Sequence, residues 1–257
     1  MTDLAPYLEF ASTLCDGARA ILEARYRAIP EAEWKADQTP VTVADREVET
    51  FLRDAILKAY PDHGILGEEH GSVRLDAEYV WALDPIDGTK SFAAGKPLFT
   101  TLIGLCRDGV PVVGAIEAPG TGERWLGATG LGTVYQEARV RTAPDRALDT
   151  AVLTATHPDM FEGERLAAFD ALSRASRYTL YGCDAYGYGQ LARGDLHLVC
   201  EADLKPFDWC ALVPVVQGAG GTITDWSGAP LTLSSDGTAL AAASPALHAA
   251  ALGVLHR

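Results

Sequence analysis

The sequence predicts an α/β protein with an α+β N-terminal half and a C-terminal half in which strands alternate with helices. Apolar residues recur at helical spacing over residues 3–28, which predicts an amphipathic helix. Short apolar runs over residues 100–135 are split by glycine-containing turns, which predicts an antiparallel meander. From residue 151 onwards, strand-length and helix-length segments alternate, which favours a largely parallel sheet.

Periodicity and turn residues define the elements of the N-terminal half. The predicted helices cover residues 3–28 and 43–60, and a Pro-Asp-His-Gly turn ends the second. An apolar run from Tyr79 to Leu83 predicts a buried strand that stops at Asp84, because the following proline cannot extend a ladder. Further strands or extended segments are expected at 33–37, 39–42, 65–67, 100–106, 110–116, 124–127 and 132–135.

A linker-like segment around Pro144 to Asp149 precedes the second half of the chain. We therefore expect an N-terminal subdomain over residues 1–145 and a C-terminal subdomain over residues 146–257, with the functional site between them. The second half is expected to contain strands at 151–155, 177–181, 196–200, 222–224 and 239–243, and helices at 161–174, 184–192, 208–217 and 245–255.

The composition is that of a globular protein with a strong negative charge. The formal net charge is −14, so we expect neither nucleic acid nor an anionic membrane as a partner. No apolar run approaches the about 20 residues that cross a bilayer. No basic residue precedes Arg19, so we expect no signal peptide and a cytoplasmic location. The five cysteines and six histidines lack metal-ligand spacing, which favours buried reduced thiols and no structural zinc site.

The stretch from Asp84 to Thr89 carries the strongest chemical signal. Asp84 and Asp87 lie three residues apart at the end of a buried strand, and Asp87 is a natural N-cap for a short helix. The amides of Gly88, Thr89 and Lys90 would then point outward and favour an anion. Carboxylates beside such amides can hold a hard cation and a phosphate together, which indicates metal-assisted chemistry on a phosphate. The alternative is that each acid is separately a cap or turn residue.

Two more acids follow the same pattern as Asp84. Glu68 follows a short apolar strand, and Asp208 begins a predicted helix. If the two halves pack edge to edge, these acids converge with Asp84 and Asp87, and the carbonyl of Ile86 adds a further oxygen. Oxygen ligands without sulfur or imidazole favour Mg²⁺, with Mn²⁺ as a possible substitute, over zinc.

These motifs together resemble those of a known family. Gly67-Glu68-Glu69, the run from Asp84 to Thr89, and Asp208 followed by Gly218-Ala-Gly220-Gly221 resemble the signature motifs of the inositol monophosphatase family. The resemblance covers nearly the whole chain and includes Pro40-Val-Thr-x-Ala-Asp45. It implies a layered αβαβα sandwich of the inositol monophosphatase/fructose-bisphosphatase type. It also implies a Mg²⁺-dependent, lithium-sensitive phosphatase that forms a homodimer.

The resemblance assigns roles residue by residue. It implies that two or three Mg²⁺ ions are held by Glu68, Asp84, the Ile86 carbonyl, Asp87 and Asp208. Asp45 and Thr89 are the implied catalytic pair, in which Thr89 orients the attacking water and donates a hydrogen bond to Asp45. The implied substrate contacts are Ile86, Asp87, Gly88, Thr89 and Asp208 around the phosphate, and Cys183, Asp184 and Glu201 around the leaving group.

The resemblance implies a small phosphate monoester as substrate, and two details favour one ester. Lys90-Ser91-Phe92 after Thr89, and Lys205-Pro206-Phe207 before Asp208, resemble the histidinol-phosphate phosphatases within the family. Acids at positions 184 and 201 complement the ammonium and imidazole of histidinol phosphate. Our first hypothesis is therefore an L-histidinol phosphatase of histidine biosynthesis. An inositol-1-monophosphatase or a broad sugar or nucleotide phosphatase stays open, as does a non-catalytic regulatory protein that retains the fold.

Overall fold

The computed structural model describes residues 3–26, 33–34 and 40–256, with side chains described over 3–26 and 42–256. Parts of the expected elements at 3–28, 33–37 and 39–42 therefore lie outside the described residues. The described helices are α1 Ala5–Arg25, α2 Val43–Ala59, α3 Thr89–Ala93, α4 Gly163–Ala175, α5 Tyr186–Arg193, α6 Pro206–Trp209, α7 Leu212–Gly218 and α8 Pro245–Leu255. The first strands are β1 Glu33–Trp34, β2 Pro40–Val41, β3 Gly64–Gly67, β4 Ser72–Val73 and β5 Tyr79–Asp87.

The remaining strands continue the first sheet and then build a second. They are β6 Thr100–Arg107, β7 Val110–Ala118, β8 Glu123–Ala128, β9 Gly132–Tyr135, β10 Ala138–Arg139, β11 Val152–Ala155, β12 Tyr178–Tyr181, β13 Leu198–Glu201, β14 Thr222–Thr224 and β15 Ala239–Ala242. The large sheet has the order β10-β9-β8-β7-β6-β5-β3-β4. Strands β5 to β10 pair antiparallel in sequence, which confirms the predicted meander.

The second sheet has the order β12-β11-β13-β15-β14 and is mixed. β12, β11 and β13 are parallel, whereas β15 lies antiparallel between β13 and β14. The prediction of a largely parallel sheet is therefore confirmed for β11, β12, β13 and β14, which all run in one direction, and is wrong for β15, which follows β14 in the chain and runs antiparallel to it. A parallel neighbour needs a crossover connection, but the segment joining these two strands contains no helix among its described residues and closes them as an antiparallel pair.

The helices complete five layers, as expected from the family resemblance. α1 and α2 bury Leu14, Leu22, Val48 and Leu52 against one face of the first sheet. α5, α6 and α7 lie between the two sheets, with Tyr188, Trp209 and Val215 in that central core. α4 and α8 cover the outer face of the second sheet. No helix in the described part of the chain is both long and apolar enough to cross a membrane.

The predicted helix over 208–217 is two short helices, α6 and α7, which cross the first sheet in the central layer. Pro214 lies in the first turn of α7, where a missing amide hydrogen removes no intrahelical bond. Three glycines that pair across β6, β7 and β8, Gly104, Gly114 and Gly127, lie under this break. A Cβ at Gly104 would lie 2.8 Å from the amide nitrogen of Ala211, and one at Gly127 would lie 2.6 Å from the Pro214 carbonyl oxygen. The glycine row therefore lets the α6–α7 backbone lie directly on the sheet.

Candidate active site

Two acids are brought side by side by a parallel strand pair. β3 and β5 pair so that Gly67 lies opposite Leu83, the residues just before Glu68 and Asp84. The Glu68 amide donates a hydrogen bond to the Leu83 carbonyl over 3.2 Å. The carboxyl ends of neighbouring parallel strands meet at one edge of a sheet, so Glu68 and Asp84 share that edge.

The strand that carries Asp84 does not end there, as the sequence suggested, but continues to Asp87. The pairing of β5 with β6 slips between Asp84 and Asp87, so Pro85 lies in a bulge where no ladder bond is required of it. The Thr101 hydroxyl donates to the Pro85 carbonyl over 2.7 Å and holds the bulge. The bulge therefore keeps both aspartates on one strand.

Asp87 is not the N-cap of α3, contrary to the expectation. The cap residue is Gly88, in the left-handed region at φ 83°, and it forms no side-chain cap bond. Oδ2 of Asp87 instead accepts hydrogen bonds from the Ala185 amide over 2.7 Å and from the Thr100 hydroxyl over 3.3 Å. The amide that orients this carboxylate thus comes from the second half of the chain.

Asp208 completes the set of four acids. It lies in α6, and its Oδ2 accepts a hydrogen bond from the Lys205 amide over 2.7 Å. α6 packs against β5, which brings Asp208 to the same cavity as Glu68, Asp84 and Asp87. The cavity has a volume of about 300 Å³ and takes its walls from both halves of the chain.

The four acids form an electrostatically strained cluster. Burial, together with Glu68, Asp87 and Asp208, raises the pKa of Asp84 well above its usual value. Burial followed by Asp184 raises the pKa of Asp87, and burial raises the pKa of Asp208 to about 7. The Oδ1 atom of Asp84 is buried and has no hydrogen-bond partner among the described residues. Such an oxygen carries a large desolvation cost unless a proton or a cation satisfies it.

The chemistry of the donor atoms fits a hard divalent cation, but the carboxylates lie farther apart than in a metal site that holds its ion. The set consists only of oxygen atoms, and the orphaned Oδ1 of Asp84 is an available ligand. In residues 3–26, 33–34 and 40–256, however, no three carboxylate, imidazole or thiol side chains are gathered closely enough to form a finished metal site. The carboxylates share a cavity but do not yet converge on one point.

Of the proposed catalytic pair, Thr89 lines the cavity, whereas Asp45 is buried and is not among the lining residues. The Thr89 hydroxyl lies 2.9 Å from the Ile86 carbonyl oxygen and 3.5 Å from Oδ1 of Asp45. Oδ2 of Asp45 accepts hydrogen bonds from the amide and hydroxyl of Thr42, which cap α2. Burial, with weaker contributions from Glu69 and Glu68, raises the pKa of Asp45 to about 6. In this structure the Thr89 hydroxyl is nearer to Ile86 than to Asp45.

Of the three residues expected around the leaving group, only Asp184 lines the cavity. Asp184 has φ 45°, and α5 begins two residues later, so Asp184 is not its N-cap. Glu201 is buried, and its oxygens accept hydrogen bonds from the Thr156 amide and hydroxyl and from the Tyr188 hydroxyl. Cys183 is half-buried and is also absent from the cavity wall.

We expect the stability of the metal-free protein to depend on pH through Asp184. Burial and the nearby Glu201 raise its pKa to about 7, whereas an unfolded aspartate has a pKa of about 3.9. The folded state binds this proton more tightly, so the free energy of unfolding falls as pH rises from about 4 to about 7. Allowing for solvent screening, we expect Asp184→Asn to recover roughly 1–2 kcal/mol at about pH 8, or about 2–8 °C in Tm.

Thermal unfolding in EDTA at about pH 5 and about pH 8 measures this difference. The matched control is Asp203→Asn, which removes an exposed carboxylate from the same cavity wall. A pH dependence that is identical in wild type and Asp184→Asn would contradict the prediction.

Two groups of cavity residues were not predicted from the sequence. Thr156, His157, Asp159 and Met160 follow β11, and Asp203 and Leu204 follow β13. β11 and β13 are adjacent and parallel. The rule that ligands bind beyond the carboxyl ends of parallel strands would have identified both segments.

Comparison with known proteins identifies related chains and structures. A family model described as the inositol monophosphatase family matches residues 3–257. The chain is 40% identical over 242 residues to the bifunctional phosphatase IMPL2, chloroplastic, of Arabidopsis thaliana, covering 93% of this chain and 70% of that protein. It is 34% identical over 231 residues to the histidinol-phosphatase of Mycobacterium tuberculosis, covering 86% and 88%. A solved structure of an inositol monophosphatase from Zymomonas mobilis is 40% identical, with a TM-score of 0.91 and 100% of both chains covered.

Proposed function

The chain belongs to the inositol monophosphatase family, and we propose that it is a Mg²⁺-dependent phosphomonoesterase that hydrolyses L-histidinol phosphate to L-histidinol and phosphate. The observation that carries the choice of substrate is the surplus of acid on the cavity wall. Beyond the four clustered acids, Asp159, Asp184 and Asp203 also line it. Such a wall complements a cationic leaving group better than a neutral polyol.

Divalent cations are a general requirement of the family. We assign two or three Mg²⁺ ions to Glu68, Asp84, Asp87, Asp208 and the Ile86 carbonyl, and Mn²⁺ is the expected substitute. The bound ions would supply positive charge that admits a phosphate dianion and stabilises the charge that develops on its oxygens. Their binding would also draw together carboxylates that repel one another in their absence.

The chain's own residues supply orientation and hydrogen bonds. The Thr89 hydroxyl orients the attacking water. When that hydroxyl turns away from Ile86, it donates its hydrogen bond to Asp45, which makes the Thr89 oxygen a better acceptor toward the water. The amides of Gly88 and Thr89 are assigned to the phosphate oxygens, because both residues line the cavity at the start of α3. Water attacks phosphorus in line with the ester oxygen, so a new P–O bond forms as the ester P–O bond breaks. The attacking water loses one proton to solvent and the departing oxygen gains one from solvent, so the products are the alcohol and hydrogen phosphate.

A substrate panel tests the assignment. Purified protein is assayed for phosphate release from L-histidinol phosphate, inositol-1-phosphate and a 3′-phosphoadenosine nucleotide, with Mg²⁺ and with EDTA. We expect kcat/KM for histidinol phosphate to exceed that for inositol-1-phosphate by roughly 10-fold or more, as one well-placed charged contact is worth. Equal turnover of the two esters would overturn the narrower assignment and leave a broad phosphatase.

The side chain of Asp184 gives a sharper test of the leaving group. Asp184 lies over Gly88, since a Cβ on that glycine would lie 3.3 Å from Asp184 Oδ2. We expect Asp184→Asn to raise KM for histidinol phosphate by roughly 10-fold and to change KM for inositol-1-phosphate by about 2-fold at most, because only the first leaving group is cationic. Steady-state kinetics at saturating Mg²⁺ measure both values. Equal increases for the two substrates would contradict a charge-specific contact.

The second candidate function is an inositol-1-phosphatase. It is favoured by the solved Zymomonas mobilis inositol monophosphatase, which is as similar in sequence as the Arabidopsis phosphatase. Under this alternative the acidic wall would accept hydrogen bonds from polyol hydroxyls. Asp184→Asn would then raise KM for both substrates by a similar factor. The same pair of KM values therefore separates the two functions.

A further inference from the structure

A buried glutamate outside the cavity, Glu49, contacts the loop that carries Glu68. Glu49 lies in the middle of α2, and its side chain is 0% exposed. Its Oε2 accepts a hydrogen bond from the Glu69 amide over 2.6 Å, and its Oε1 accepts one from the His70 amide over 3.0 Å. One carboxylate thus binds the two backbone amides that follow Glu68.

Gly67 leaves the space that this carboxylate occupies. A Cβ at Gly67 would collide with Glu49, and its three nearest atoms would all be carboxylate atoms of that one side chain. Gly67 ends β3, and its φ is not in the left-handed region, so an L-residue could adopt its backbone conformation. The glycine is therefore required by the close approach of Glu49 and not by the path of the chain.

The loop that carries Glu68 is also held by Arg53 and by a backbone hydrogen bond between its two ends. Arg53 Nη1 donates to Glu49 Oε1 over 3.2 Å and to the Gly71 carbonyl over 2.8 Å. The Gly67 amide donates to the same Gly71 carbonyl over 3.1 Å. Since the Glu68 amide is bonded to Leu83, the backbone at Glu68 is fixed relative to Asp84. Glu49 provides the only carboxylate among the described hydrogen bonds to the Glu69 and His70 amides.

We propose that Glu49 is a positioning residue that holds Glu68 for cation binding, although it touches neither cation nor substrate. This inference rests on the proposed function, because it assigns Glu68 as a cation ligand. Groups that orient metal ligands usually contribute 10–100-fold, in order of magnitude, to metal affinity. The carboxylate is suited to the task because both of its oxygens are acceptors, whereas a carboxamide has only one.

The experiment compares Glu49→Gln with wild type by titration calorimetry and by Mg²⁺-induced thermal stabilisation, neither of which depends on turnover. The substitution keeps the size of the side chain but turns an N–H₂ group toward a backbone N–H. We expect the half-saturating Mg²⁺ concentration to rise by roughly 10–100-fold. The control is Glu117→Gln, which alters another fully buried glutamate that pairs with Arg19 and Arg124. It should lower Tm but leave the half-saturating concentration within about 2-fold.

Gly67→Ala tests the same contact from the opposite side and serves if Glu49→Gln folds poorly. Its methyl group displaces the Glu49 carboxylate, so it should weaken Mg²⁺ binding by a similar factor. In the double variant the two effects should be far from additive, because both remove one interaction. Wild-type protein that binds no Mg²⁺ overturns the proposed function and this inference together. Wild-type binding with unchanged affinity in both single variants overturns the inference alone.

Discussion

We expect Asp84→Asn to abolish most of the phosphatase activity and, at the same time, to stabilise the metal-free protein. Asp84 is 3% exposed, lies among Glu68, Asp87 and Asp208, and has an Oδ1 atom with no described partner. Asparagine removes the charge that a divalent cation requires, so kcat/KM should fall by roughly 10²–10³-fold or more. It also removes a buried charge and its repulsion by the neighbouring acids, which together raise the pKa of this group, so Tm in EDTA should rise.

The experiment is decisive because activity should fall while Tm in EDTA should rise. Phosphate release at saturating Mg²⁺ measures the first effect, and thermal unfolding with EDTA and with Mg²⁺ measures the second. We expect wild type to gain stability on addition of Mg²⁺ and Asp84→Asn to gain much less. The control is Asp54→Asn, an exposed aspartate on α2. A variant at position 84 with full Mg²⁺-dependent activity would show that Asp84 is not a ligand.

Stability and function oppose each other at this site for a physical reason. Acidic side chains are gathered in a partly buried cavity before any cation binds, and their mutual repulsion is retained in the fold. Binding sites commonly lower the stability of the fold in this way, because replacing the side chains that repel one another also removes the groups that bind the ligand. The buried Asp45 shows the same pattern, since burial raises its pKa to about 6 and its carboxylate lies 3.5 Å from the Thr89 hydroxyl.

Local patterns were sufficient to predict the clustered acids. Asp84 and Asp87 are three residues apart, and Glu68 follows a strand whose end was visible from its apolar run. Each prediction depended on a short segment, and a parallel strand pair then brought Glu68 to Asp84. The helices and strands that form the layers were predictable for a related reason. The spacing of apolar residues distinguishes a helix from a strand within about ten residues.

Features that depend on distant partners could not be read from the sequence. The partners of Asp87 include the Ala185 amide, 98 residues away, so its role as an N-cap was a reasonable but incorrect expectation. Glu201 is held by Thr156 and Tyr188 on other elements, which the residue type alone does not reveal. The antiparallel β15 likewise depends on which strand it joins, and periodicity does not specify that choice.

Gly114→Ala is expected to cause the largest loss of stability among single-methyl substitutions in this part of the fold. A Cβ at Gly114 would collide with the Ala211 carbonyl and would lie 2.9 Å from Cγ of Pro214. Backbone atoms of α7 cannot move aside as a flexible side chain can, so the helix must lift from the sheet. Overpacking of this kind costs about 3 kcal/mol, which corresponds to a fall in Tm of roughly 6–12 °C.

The same substitution should also weaken catalysis, because Ala211 is three residues beyond Asp208. α6 carries Asp208 on β5, so lifting α7 displaces one of the four clustered acids from the other three. The matched control is Gly253→Ala on α8, where no atom lies within 4 Å of the added Cβ. There the methyl group only reduces the freedom of the unfolded chain, and Tm should rise by the equivalent of about 0.5–1 kcal/mol. If Gly114→Ala and Gly253→Ala changed Tm in the same direction, the prediction would be contradicted. The close packing of α7 on the glycine row would then not be what holds Asp208 at the cavity.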